Sequence, residues 1–242
     1  MSSAIITGGA IRLGRAIAVH LAKRGYNIAL HYNRSEDPAK QVQEEILSAG
    51  VRCSLFACDF NDLDQVESLI SRVAADFSDV DLLINSAANF IQENVENTTM
   101  TSLLQSINTN LLAPFILMRD YKKLFNRGMV VNILDERIQR NVPTFAAYSV
   151  AKVGLSHLTH LAAIEWGEQV RVNAIAPGLI LSPAGESDEY LLRAAKNNPL
   201  KTHGSLENLG CGLDYLIDNR FVNGETLFID GGESKGGFRP IQ

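Results

Sequence analysis

The feature that most constrains the fold of this 242-residue chain is a regular alternation of short apolar runs with longer helical stretches. Ala4-Ile5-Ile6 runs into Thr7-Gly8-Gly9, and a helical pattern follows over 13–24. Gly25 closes it, glycine being suited to the left-handed residue that ends many helices. Residues 27–32 read as a second strand, 39–49 as a helix ended by Gly50, 51–57 as a third strand and 62–77 as a third helix. A fourth strand falls at 81–85, and 101–125 reads as one long helix with Pro114 as an internal kink. A strand at 128–134, a helix at 146–166 and strands at 171–176 and 228–230 complete the pattern. Apolar strands separated by helices predict a parallel sheet with helices on both faces. The expectation is one α/β Rossmann-type domain over 1–242, doubly wound on a mostly parallel seven-stranded sheet. Only 182–212 breaks the rhythm: it is polar, holds Pro183 and Pro199, and reads as a mobile substrate lid or a plain surface excursion.

Composition narrows the class. The apolar share of 46% is ample for a core, and no apolar run approaches the roughly 20 residues of a membrane helix. The start has neither the basic residues nor the apolar stretch of a signal peptide. Cys53, Cys58 and Cys211 are odd in number and lack metal-ligand spacing, which suits free thiols in a reducing compartment, with cytoplasm the default. A net charge of −5 with scattered basic residues argues against nucleic acid as a partner. The composition therefore points to an enzyme-sized globular domain with no membrane span and no metal-ligand spacing, and to no more.

The first strand-to-helix turn, from Thr7 and Gly8 to Arg12-Leu13-Gly14, suits a dinucleotide pyrophosphate. Glycines let the backbone approach, and the helix N-terminus offers free N–H groups. Arg12 stands where another glycine is common; it is either a solvated side chain or a cation for phosphate or substrate. An NAD site wants a carboxylate about 20 residues on, for the ribose hydroxyls. This chain has His31, Tyr32, Asn33, Arg34 and Ser35 there, which favours a 2′-phosphate and hence NADPH. Asp59 either accepts from the adenine amino group or caps the helix ahead of Asp62, and Phe60 follows it at the same rim.

Tyr148 and Lys152 lie four apart on a predicted helix and so share a face. A nearby ammonium would lower the tyrosine pKa and make it a usable proton donor. With these elements the chain resembles the short-chain dehydrogenase/reductase family over its whole length. The motifs are Thr7-Gly8…Gly14, Asn85-Ser86-Ala87, Asn110, Tyr148-x-x-x-Lys152, and Arg171-Val172-Asn173 with Pro177-Gly178-Leu179. The resemblance implies that Asn110 anchors a relay water, that Lys152 holds the nicotinamide ribose, and that Pro177 and Gly178 border the nicotinamide. It also implies a homotetramer.

The family's usual serine, thirteen residues before the tyrosine, is Asp135 here. With Arg12, the His31–Ser35 stretch and Phe90, this is similar to the pteridine reductase branch, which includes dihydromonapterin reductases. The resemblance implies a pterin stacked on Phe90, with Arg12, Asp135 and Tyr148 as polar anchors and Arg239 reaching a neighbouring subunit's site. From the residues alone, Asp135 could instead cap its loop and Phe90 could be a core aromatic. A carbonyl or 3-oxoacyl reductase of the same fold and a non-catalytic NADPH-sensing protein are the other readings. His157 and His160 read as packing or surface residues, and Trp166 as core or interface.

Overall fold

The structure is a computed structural model that describes residues 2–140, 142–183 and 185–236. Seven strands, β1 (Ser3–Ile6), β2 (Asn27–Tyr32), β3 (Cys53–Ala57), β4 (Val80–Asn85), β5 (Gly128–Ile133), β6 (Val170–Pro177) and β7 (Thr226–Ile229), form one sheet in the order β3-β2-β1-β4-β5-β6-β7. Every pairing is parallel, so the expected "mostly" becomes "wholly". Parallel strands need crossovers, and the intervening helices bury both sheet faces. One face packs Ile5, Leu83, Val130 and Val172 against α3 (Leu63–Asp76), α5 (Ala113–Leu124) and α6 (Ala146–Trp166). The other packs Ile6, Leu30, Ile84 and Ile175 against α1 (Arg12–Lys23), α2 (Glu36–Ser48) and α8 (Leu206–Asp218). The strand order reverses between β1 and β4, so a crevice opens at their C-terminal ends.

Two departures from the expected elements bear on the site. The helix expected over 101–125 is α4 (Met100–Ile107) and α5, joined by a π-helical turn at Asn108–Leu112. Pro114 has no N–H for the carbonyl four residues back, and the wider turn just upstream absorbs the mismatch. The distortion therefore sits at Asn110 and not at the proline. The irregular 182–212 stretch carries α7 (Asp188–Ala195) and the start of α8. Leu209 and Leu213 of α8 are core residues, so only 182–205 lies outside the helix-covered sheet.

Candidate active site

The glycine turn is fixed from below. Thr7 donates its N–H to the Ile84 carbonyl at 3.0 Å, and its hydroxyl accepts from the Ser86 and Ala87 N–H groups at 2.9 and 3.0 Å. This clamps the β1 turn to the β4 end. Gly8 lies at φ +65°, where a Cβ would sit 2.8 Å from the Ala87 Cα. A Cβ on Gly14 would fall 2.1 Å from the Gly8 carbonyl oxygen, so the helix start and the turn touch backbone to backbone. No side chain caps α1 and its first turn holds no acid, which leaves its N–H donors for an anionic ligand. These features fit a dinucleotide pyrophosphate.

His31 and Phe60 serve this turn from inside. The His31 ring is buried, stacks on Phe60 at 4.2 Å, accepts the Gly8 N–H on Nδ1 at 3.1 Å and donates from Nε2 to the Cys58 carbonyl at 3.0 Å. Burial lowers its pKa to about 4, so the ring is neutral and the tautomer is set by its two partners. Their side chains are thus spent inside the protein. Leu13 packs partly buried against the core. Asn33 donates to Asp59 Oδ1 at 3.2 Å, Arg34 is exposed, and Ser35 stands at the start of α2, a polar cluster that fits a 2′-phosphate. Asp59 also accepts from the Asn61 N–H at 3.0 Å, and that bond chiefly holds its carboxyl below the usual range. Asp62, whose side chain accepts from the Gln65 N–H, caps α3; the alternative of Asp59 as that cap is corrected.

Arg12 is one of the few described non-glycine residues at positive φ, +52°, an uncommon conformation for a bulky side chain. Its guanidinium donates to the Ser182 carbonyl at 2.8 Å and so ties the glycine turn to the start of the 182–205 stretch. At the β6 end, Gly178 passes so close to Asp230 that a Cβ would sit 2.8 Å from its Cα. The Leu179 carbonyl accepts the Gly204 N–H at 2.9 Å.

At the other rim, Tyr148 donates its hydroxyl to Asp135 Oδ2 at 2.9 Å. Asp135 also accepts the Arg137 N–H on Oδ1 at 2.9 Å and the Arg137 guanidinium on Oδ2 at 3.2 Å. It therefore caps its turn and holds the tyrosine at once. Lys152 is wholly buried; its Nζ donates to the Ile133 carbonyl at 2.7 Å and stands 5.8 Å from the Tyr148 ring centroid. The net shift of the tyrosine runs opposite to the expected lowering. Burial first, and the Asp135 charge second, raise Tyr148 well above its ordinary value, while burial pushes Lys152 down to about 8. A desolvated phenol beside a carboxylate keeps its proton.

Asn110, completely buried on the π-helical turn, donates its amide to Asn89 Oδ1 at 2.6 Å and to the Ser106 carbonyl at 3.0 Å. Its Oδ1 is buried with no partner among the described residues, an open acceptor that fits an ordered water. Beneath the crevice Asn85 donates to Asn132 at 2.8 Å, and Asn132 to Thr159 at 2.9 Å. Phe90 is half exposed, not core; it stacks on Phe145 at 4.1 Å and meets Tyr148 edge-on at 4.7 Å. Arg137, Phe145 and Asn89 were missed as site residues in the sequence. A run of Asp-x-Arg could have drawn notice to Arg137, but Phe145 and Asn89 join the site only through tertiary approach. His157 and His160 are exposed, and Arg239 lies outside the described residues.

Residues 9–234 match the family model described as enoyl-(acyl carrier protein) reductase. The chain belongs to this family of short-chain dehydrogenases/reductases, and it is an oxidoreductase. The structure of FolM alternative dihydrofolate reductase 1 from Brucella suis, in complex with NADP, superposes with a TM-score of 0.92 at 30% identity, covering 99% of this chain and 97% of that one. The same-named protein from Brucella canis, complexed with NADP, gives 0.93 at 30% identity, covering 99% and 96%. The 3-oxoacyl-[acyl-carrier-protein] reductase FabG of Staphylococcus epidermidis is 30% identical over 238 residues, covering 95% of this chain and 98% of that protein. No helix of the described residues is long and apolar enough to cross a membrane.

Proposed function

We propose that this protein is an NADPH-dependent pterin reductase that converts a dihydropterin, such as dihydromonapterin or dihydrobiopterin, to the tetrahydro form. The observation that carries this reading is the Tyr148 hydroxyl donated at 2.9 Å to Asp135, a carboxylate where the family's usual serine would stand. A serine binds a carbonyl oxygen; a carboxylate accepts from the amino groups and ring N–H of a nitrogen-rich heterocycle. The likeness to two FolM alternative dihydrofolate reductases supports it.

NADPH, when bound, supplies the hydride. Arg34, Asn33 and Ser35 would hold the 2′-phosphate, Asp59 would take the adenine amino group, and the Gly8–Gly14 turn would receive the pyrophosphate. Lys152, whose Nζ now donates to the Ile133 carbonyl, would hold the nicotinamide ribose, and Pro177, Gly178 and Leu179 would wall the nicotinamide. Phe90 stacks on the pterin, with Arg12 at its polar edge. With hydride supplied to the imine carbon, the imine electrons would move to the ring nitrogen, which would take a proton. For a fully oxidised ring Asp135 and Tyr148 together would supply that proton; for the dihydro ring water would supply it. Asn110 seats the relay water that recharges the site. The unit is one domain with 182–205 as its lid, assembled as a homotetramer.

The FabG relatives favour a second reading, reduction of a 3-oxoacyl thioester. Loss of NADPH absorbance, followed with dihydropterins, dihydrofolate and a 3-oxoacyl thioester in parallel and repeated with NADH, separates the two. The reading expects dihydropterin turnover with NADPH preferred; thioester turnover with none of any pterin would overturn it.

A further inference from the structure

Two arginines leave the short turn after β5, and they are held very differently. Arg140 grips Glu136 with two bonds of 2.6 Å and reaches Glu233 at 2.8 Å. Arg137 makes one long side-chain bond, 3.2 Å to Asp135 Oδ2, and its Nε is buried with no partner among the described residues. Its guanidinium carbon lies 5.2 Å from the Phe90 ring centre and 5.1 Å from that of Phe145, so it flanks the stacked pair. A buried donor without a partner costs stability, and a single long contact is easily exchanged.

Each carboxylate oxygen has room for about two hydrogen bonds. Asp135 Oδ1 holds the Arg137 backbone N–H; Oδ2 holds Tyr148 and the guanidinium. With the guanidinium gone, each oxygen has one open position. Two adjacent acceptors are what a planar N–C–N donor edge needs for a bidentate pair. We propose that the Arg137 guanidinium is an internal stand-in for the amino-substituted edge of the substrate ring, bound to Asp135 beside Phe90 until a ligand with its own N–C–N donors displaces it. Arg137 is thus a specificity-determining residue. A ketone has no donor to offer Asp135 and leaves the guanidinium in place, whereas a 2-amino-4-oxopteridine replaces it. Glu233, already bonded to Arg140 of the same turn at 2.8 Å, is the carboxylate that can receive it.

This inference rests on the pterin reading, and its test separates the two. Binding of 2-amino-4-oxopteridine, a probe that is not reduced when the bound cofactor is NADP, is measured by calorimetry on the wild type, Arg137→Met and Arg137→Lys, each with NADP bound. KM and kcat for a dihydropterin are measured alongside. Methionine keeps the stem without donors; lysine keeps the charge without the planar edge. The expected result is that both variants bind the probe at least about fivefold more tightly, methionine the more so, with a lower KM and little change in kcat. Weaker or unchanged probe binding in the variants, with wild-type pterin turnover intact, overturns the role of Arg137 and leaves the substrate class standing. If Arg137→Met does not fold, Arg137→Lys decides by the same criterion. No pteridine binding to the wild type overturns both.

Discussion

At the scale of single residues the site depends on groups whose protonation is fixed by burial. His31 is the clearest: accepting from Gly8 and donating to Cys58 requires the neutral ring. A proton on Nδ1 would face the Gly8 N–H and remove the support of the cofactor turn. Its folded pKa of about 4 lies below the unfolded value of about 6.5, so its contribution is fully present above pH 6.5 and is lost as pH falls towards 4. Urea unfolding of wild type and His31→Gln from pH 7 to 4 tests this. The wild type should lose on the order of 3 kcal/mol more than the variant; parallel slopes would refute it. Tyr148 and Lys152 were legible from their spacing, but the direction of the tyrosine shift was not. That direction depends on Asp135 closing to 2.9 Å and on the depth of burial, neither of which spacing carries.

At the scale of elements, the sheet strands and α1, α2, α3 and α6 were readable because local pattern and tertiary role agree. The π-helical turn and α8 were not. In α8, Gly210 and Gly212 weaken the helical pattern, yet both are packing devices. A Cβ on Gly210 would meet the His20 ring at 2.9 Å, and one on Gly212 would meet Ile229 at 2.3 Å. The capping box formed by Ser205 and Asn208 was the available signal. Helix α6 carries a second message: its inner side bears Tyr148 and Lys152, while Val150, Val153, Leu161 and Ile164 form an exposed apolar stripe with helical spacing. Such a stripe on an otherwise packed helix suits another copy of the chain. Val153→Glu with Ile164→Glu should lower the mass seen by light scattering below that of the wild-type protein. An unchanged mass would remove α6 from the interface.

At the scale of the whole molecule, the alternation of strands and helices carried the doubly wound parallel sheet, and the strand-order reversal between β1 and β4 located the crevice. The same framework serves relatives named for acyl-carrier-protein substrates and relatives named as dihydrofolate reductases, so fold alone does not choose the substrate. The choice rests on the chemistry presented to the ring, and Asp135 is its centre. Sequence comparison with the family singled out Asp135; only the structure joined it to Arg137 and Phe145. The most direct measurement is steady-state kinetics of Asp135→Ser, with NADP affinity measured in parallel to show that the cofactor site is intact. The account predicts a fall of about a hundredfold or more in kcat/KM for dihydropterin with NADP affinity retained. Undiminished dihydropterin turnover by the serine variant would contradict it.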